Sequence, residues 1–257
     1  MAEVAVSNFR IGCCGPGMSL AKYRAIFRVL EVQQTFYQPP RVQTLQKWRA
    51  GSDPDFEFAI KAWQLITHPA TSPTYRRITR PLTDKEKGDA GSFRMTAIVK
   101  DALTVTYESA AALSAKSILF QCPKSFLPSA QNQARMRRFF SSIDRPQGVD
   151  FYFEPRGAWS PVLIRKLCVE LNLFHAVDPL VNETTTPEKI YFRLHGVDGY
   201  RYQYTDEDLQ KISQIVASKE SGYVLFNNTA MIDDALRFKT KITGDLFSSS
   251  PLLQPHQ

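Results

Sequence analysis

Turn residues cut this chain into eight short apolar runs of strand length, and most of the intervals between them carry apolar residues at helical spacing. The runs centre near Ile11, Glu31, Phe58, Leu119, Phe153, Val177, Phe192 and Leu225. Strands joined by helical crossovers pair in parallel, and apolar residues on both faces of such strands need a covering layer on each side. Eight repeats in 257 residues predict a closed TIM-like (β/α)8 barrel as a single α/β domain, with an open doubly wound sheet as the alternative. The expected boundaries are an N-terminal extension over 1–8, a barrel domain over 9–240 and a partly disordered C-terminal tail over 241–257.

The punctuation supports that division. Gly15-Pro16-Gly17 ends the first run, Pro39-Pro40 stops the stretch RVLEVQQTFY, and Pro123 closes SILFQCP. From Ile66 to Gly91 prolines and the polar run TDKEKGDAG predict a loop with short helical pieces. Pro179 to Glu188 reads as a second loop, leading directly into KIYFRLHG. Thr205 and Asp208 have the spacing of a capping box, ahead of the stripe Leu209, Ile212, Val216.

Alternation along a strand lets each run be phased. If Phe192 and Leu194 pack outward, then Tyr191, Arg193 and His195 face the barrel axis. The same rule turns Tyr152, Glu154 and Arg156 inward on the fifth strand, with Phe151 and Phe153 outside. It places Lys61 and Trp63 inside the third strand, against Phe58, Ile60 and Ala62 outside. Glu31, Gln33 and Thr35 turn inward on the second strand, Gln121 on the fourth and Asp178 on the sixth, while the eighth points one of Asn227 and Asn228 at the axis. These polar groups lie late in their strands, at the carboxyl-terminal face where barrel enzymes gather their chemistry. Filling that volume with charged groups costs desolvation that Val, Ile or Leu would avoid, so a ligand site is favoured over structural filler.

Physical chemistry divides the roles. Glu31, Glu154 and His195 are the candidate proton-transfer residues. Gln33, Tyr37, Lys61, Trp63, Gln121, Arg156, Arg193, Asn227 and Asn228 are candidates for holding a small anionic or sugar-like molecule, the arginines as planar donor forks. Lys61 reads first as a charge partner for a carboxylate, with Schiff-base chemistry as its alternative. Glu154, Asp178 and His195 lie on consecutive strands and form a weak candidate set for a divalent metal, which would make the reaction a metal-assisted one on a phosphoester or sugar.

Other classes are disfavoured. No Walker-type loop, G-x-G-x-x-G or G-x-S-x-G occurs, so neither a nucleotide cofactor nor a serine hydrolase is indicated. There is no run of eighteen apolar residues and no basic-then-apolar leader, so a cytoplasmic protein without a membrane partner is expected. The formal charge of +7 leaves a noncatalytic nucleic-acid-binding protein as an alternative, although the basic residues are scattered. Arg135, Arg137 and Arg138 read as the solvated face of a helix that also carries Met136, Phe139 and Phe140. Cys13, Cys14, Cys122 and Cys168 lack metal-ligand spacing and read as buried thiols, the adjacent pair being the one to test for reactivity.

Taken together, LEVQQTFY, FEFAIKAWQLITH, ILFQCPKSF, YFEPRGAW, YFRLHG and LFNNTAMIDDA resemble, in order, the domain-of-unknown-function 72 family, also called YecE-like, over roughly Phe9 to Phe238. The resemblance implies a TIM-like barrel with a polar pocket at the carboxyl-terminal strand ends and no established reaction. It implies family positions at Glu31, Thr35, Phe36 and Tyr37, at Lys61, Thr67 and His68, at Gln121 and Pro123, at Glu154, Arg156 and Trp159, at Arg193 and His195, and at Asn227 and Asn228. Two departures stand out. Gly157 replaces the histidine that commonly follows the fifth-strand arginine, and CCGPGMSLAKY is short where the family usually has a glycine- and aromatic-rich loop. Both imply a more open pocket or altered chemistry.

Overall fold

The computed structural model describes residues 8–248, with side chains through Ile242. Eight strands close on themselves in the order β1 to β8, every neighbouring pair parallel, with β1 hydrogen-bonded to both β2 and β8. They are β1 Phe9–Cys14, β2 Val29–Val32, β3 Glu57–Lys61, β4 Ser117–Gln121, β5 Asp150–Glu154, β6 Phe174–Val177, β7 Ile190–Leu194 and β8 Gly222–Phe226. Helices α1 Leu20–Ile26, α2 Gln34–Tyr37, α3 Val42–Ala50, α4 Gln64–Thr67, α5 Asp84–Asp89, α6 Ala97–Leu113, α7 Ala130–Ser142, α8 Pro161–Glu170, α9 Asp206–Ala217 and α10 Met231–Ser248 lie between and after the strands. The last helix runs past the expected boundary at residue 240, and 1–7 and 249–257 lie outside the described residues.

Two apolar layers follow from strand alternation. Inside the barrel are Cys14, Val29, Ala59, Leu119, Tyr152, Ala176, Tyr191, Tyr223 and Leu225. Between strands and helices lies a larger layer that includes Phe58, Ile60, Phe120, Phe151, Phe153, Phe192, Leu194 and Phe226. Phe120 meets Phe140 and Phe151 at ring separations of 5.2 and 5.1 Å. Met136, Phe139 and Phe140 turn inward from α7, while Arg137 on the same helix forms a two-pronged pair with Glu170.

Two departures from an ideal repeat shape the top of the barrel. β2 stops at Val32, and α2 begins at Gln34, so the stretch expected to continue as strand coils instead. Thr35 Oγ1 then donates to the carbonyls of Val32 and Lys61, tying the coil to β3. The second departure is the crossover from β6 to β7, which has no helix. Prolines and threonines there carry no helical stripe, and side chains hold the segment: Thr186 Oγ1 accepts from the His175 amide and His195's amide donates to Asp178 Oδ2.

β1 and β2 approach closely because Gly12 has no side chain. A Cβ there would stand 2.3 Å from the Val29 carbonyl oxygen. The space admits the Tyr23 hydroxyl, which donates to Val29 O and accepts from the Cys13 amide.

Candidate active site

Strand alternation and carboxyl-terminal placement together bring a buried ion network to the top of the barrel. Arg193, the penultimate residue of β7, is 1% exposed and is the hub. Its Nε and Nη2 each donate at 2.9 Å to the two oxygens of Glu31 on β2, and its Nη1 donates to Glu154 Oε2 on β5 at 2.7 Å. The Tyr191 hydroxyl also donates to Glu31 Oε2 at 2.8 Å. A bidentate guanidinium-carboxylate pair with every acceptor engaged offsets the cost of burying those charges. Burial alone lowers the Arg193 pKa, but Glu154 and Glu31 outweigh it and hold the guanidinium charged. Burial likewise raises the Glu154 carboxyl, and Arg193 with Arg156 overcomes it, leaving Glu154 well below the usual carboxylate range.

Around that floor stands a half-exposed rim. Arg156, just past β5, has its Nε 2.7 Å from Glu154 Oε1. His195, just past β7, places Nε2 3.3 Å from the same oxygen. Burial pushes the His195 pKa below its ordinary value, although Glu154 pulls it back up, so the ring is neutral at pH 7. A chain of contacts also reaches the far side of the ring. The Cys14 carbonyl can only accept, so Gln33 presents Nε2 to it and to Asn227 Oδ1, which leaves Asn227 Nδ2 facing His195 Nδ1 at 2.9 Å. Donors therefore face both ring nitrogens: Asn227 Nδ2 at Nδ1, and Arg156 Nη2 and Arg193 Nη1, at 2.7 and 3.4 Å, at Nε2. Arg156 is the member free to move, because about a third of its side chain is exposed.

Lys61 ends β3 and is 3% exposed. The expected carboxylate partner is not in contact: none of the ion pairs among the described residues includes it. Its Nζ donates to Gln121 Oε1 at 2.7 Å and sits 4.0 Å from the Phe36 ring centre. Burial, followed by the Arg193 charge, lowers its pKa from 10.5 to about 7. Phe36, in turn, meets His68 edge-on, and burial brings His68 down to about 3.

The network thus brings together Glu31, Gln33, Lys61, Gln121, Glu154, Arg156, Arg193, His195 and Asn227. Four expected members lie elsewhere. Trp63 follows the end of β3, where alternation no longer applies, and packs into the outer layer with its indole N–H on the Tyr37 carbonyl. Tyr37 lies on α2 beneath Arg77 rather than on a strand. Asn228 is fully buried and ties the Tyr202 carbonyl to Asp234, so Asn227 is the asparagine that reaches the site. Asp178 spends its two oxygens on the backbone amides of Leu180 and His195. The proposed ligand set Glu154, Asp178 and His195 therefore does not assemble, and among the described residues no group of three His, Cys, Asp or Glu is arranged to hold a metal ion. Cys13 and Cys14 are buried, and burial raises Cys13 to about 12 and Cys14 well above its ordinary value, so neither is a reactive thiol at neutral pH. Tyr191, missing from the expected site, was visible as an inward residue two positions before Arg193. Phe36 was named only through the family resemblance, since strand alternation does not reach the coil after β2.

No curated protein matches the chain. A DUF72 family protein of Enterococcus faecalis is 18% identical, covering 91% of this chain and 97% of its own, with a TM-score of 0.67. One from Thermotoga maritima is 20% identical over 91% and 99%, with a TM-score of 0.68. A D-psicose 3-epimerase whose structure was determined in the presence of D-fructose shares the fold at 11% identity, covering 95% and 96%, with a TM-score of 0.56. The family model for the protein of unknown function DUF72 matches residues 14–249, and the chain belongs to that family.

Proposed function

We propose that the protein is an enzyme performing general acid/base chemistry on a small anionic or sugar-like molecule at the carboxyl-terminal mouth of the barrel. The observation that carries this reading is His195. It is a neutral imidazole, 21% exposed in its side chain, backed by an ionised carboxylate that is itself 4% exposed. The ring exchanges a proton with a ligand atom, and Glu154 stabilises the imidazolium when the ring takes one. Arg156, with about a third of its side chain exposed, is the cation placed to meet an incoming anion. Glu31, with both oxygens on Arg193 and no exposure, serves as a positioning residue that aims Arg193 and through it Glu154. The D-psicose 3-epimerase shows that a frame of this fold accepts sugar chemistry, which favours hydroxylated ligands in a screen.

The test begins with thermal stabilisation by sugars, sugar phosphates and dicarboxylates, then turnover of whichever stabilises. His195→Gln and Glu154→Gln are each expected to lower kcat by about 10²- to 10⁴-fold, the range for loss of an acid/base group. If both variants turn over the identified substrate as the wild type does, the reading is wrong.

A further inference from the structure

Every buried cation in the network except one has a carboxylate against it. Lys61 has instead a neutral amide oxygen at 2.7 Å and an aromatic face at 4.0 Å. Gln121 Oε1 is shared, lying 3.4 Å from Arg193 Nη1, so the same oxygen faces a permanent guanidinium and the lysine amine. Gln121 Oε1 has two lone pairs and accepts from both, so Lys61 keeps its hydrogen bond as a neutral amine, which also has a lone pair to spare. A lysine whose only task was to neutralise a carboxylate has no such arrangement, and one whose only task was to bind an anion has no need to lose its charge. Gln121, which holds the amine, is itself half-buried.

We propose that Lys61 is a covalent site, its free amine forming an imine with the carbonyl carbon of a small hydroxy-aldehyde or hydroxy-ketone. The proposal rests on the reading of the barrel mouth as a small-molecule site and narrows its substrate class to carbonyl compounds. The Nζ lone pair forms a bond to the carbonyl carbon, and the C=O π pair moves to oxygen. That oxygen leaves as water with the two protons of the amine as the C=N bond forms, so nothing is oxidised or reduced. Protonation of the imine nitrogen gives an iminium that withdraws the electron pair of a C–H bond on the adjacent carbon, the proton of which is then exchanged with an acid/base group. The acidity of the amine agrees: with a pKa brought to about 7 by burial and the Arg193 charge, about half of it is unprotonated at neutral pH. An exposed lysine has about one part in a thousand or less in that form.

The experiment is reductive trapping. The full-length protein is incubated at neutral pH with glycolaldehyde or dihydroxyacetone and sodium cyanoborohydride, and the adduct is located by peptide mass spectrometry. The expected result is alkylation of Lys61 at least about tenfold faster than of the exposed Lys85, given the larger free-amine fraction, with a half-rise in rate near pH 7. Lys61→Arg, checked for wild-type circular dichroism, should lose that adduct and leave the labelling of Lys85 unchanged. Labelling confined to exposed lysines, or Lys61 labelled no faster than Lys85, overturns the proposal. The two readings fail separately. His195-dependent turnover without a Lys61 adduct removes only the imine, and a Lys61 adduct with turnover indifferent to His195 and Glu154 removes only the acid/base assignment.

Discussion

Lys61 and Arg193 are buried at the same end of the barrel and differ in what compensates their charge. Arg193 is held ionised by Glu31 and Glu154, while Lys61 releases its proton near pH 7. That difference has a measurable sign. The unfolded chain keeps the lysine proton up to about 10.5, and the folded chain binds it only below about 7. Between those values the unfolded state holds more protons, so Lys61 makes stability rise with pH across that window, by at most about 1.4 kcal/mol per pH unit. Below pH 7 both states are protonated and the contribution is flat. Lys61→Met, which keeps length and removes the titration, is expected to be more stable than wild type near pH 7 and to lose that advantage by about pH 9.5. Urea midpoints of the two proteins at both pH values check this, and a difference that does not change with pH would show that Lys61 titrates normally in the fold.

Strands and their ends differ in how much the sequence discloses. Within a strand, alternation over four or five residues separates outward Phe151, Phe153, Phe192 and Leu194 from inward Tyr152, Glu154, Tyr191 and Arg193, and the structure has that separation. One residue past the end the rule still placed His195; two residues past β3 it failed for Trp63, because α4 starts at Gln64 and nothing in the sequence marks the change. Asn227 and Asn228 are chemically identical neighbours, and only the position of Asp234 on α10 decides which is drawn away. The helix starts were legible because capping is local chemistry. Thr205 Oγ1 accepts from the Asp208 amide at 3.2 Å while Asp208 Oδ2 accepts from the Thr205 amide at 3.0 Å, as the spacing predicts. Thr205→Ala is expected to cost about 1 kcal/mol, read as a shift in the denaturant midpoint with no change in slope. The same Asp208 accepts the Tyr202 hydroxyl from the loop that follows His195, so a larger cost would mean that the cap also anchors that loop.

At the scale of the molecule, barrel closure makes the site a property of the whole fold, since Glu31, Lys61, Gln121, Glu154 and Arg193 come from five strands and no smaller piece holds them in register. The closing strand is β8, and Gly222 opens it, facing Phe9 of β1 on one side and Ile190 of β7 on the other. Its φ is +134, and a Cβ would stand 2.0 Å from the Ile190 carbonyl oxygen. Both the backbone conformation and the space thus require glycine. Gly222→Ala must break the β7–β8 or β1–β8 register at its start, about 3 kcal/mol or more if strain and a displaced strand end combine. Because a parallel barrel has no free edge to absorb the loss, the damage is expected to spread through the ring and not to stay at one seam. Unfolding followed by far-ultraviolet circular dichroism and by fluorescence of Trp48, Trp63 and Trp159, which lie in or against the outer layer, should then shift together to lower denaturant. If the tryptophan signal kept its wild-type midpoint while the circular dichroism fell early, β8 would be detaching alone. Arg193, whose neighbour in register on β8 is Leu225, would then keep its carboxylates in a seven-stranded remnant, contrary to the cooperative barrel inferred from the closed sheet.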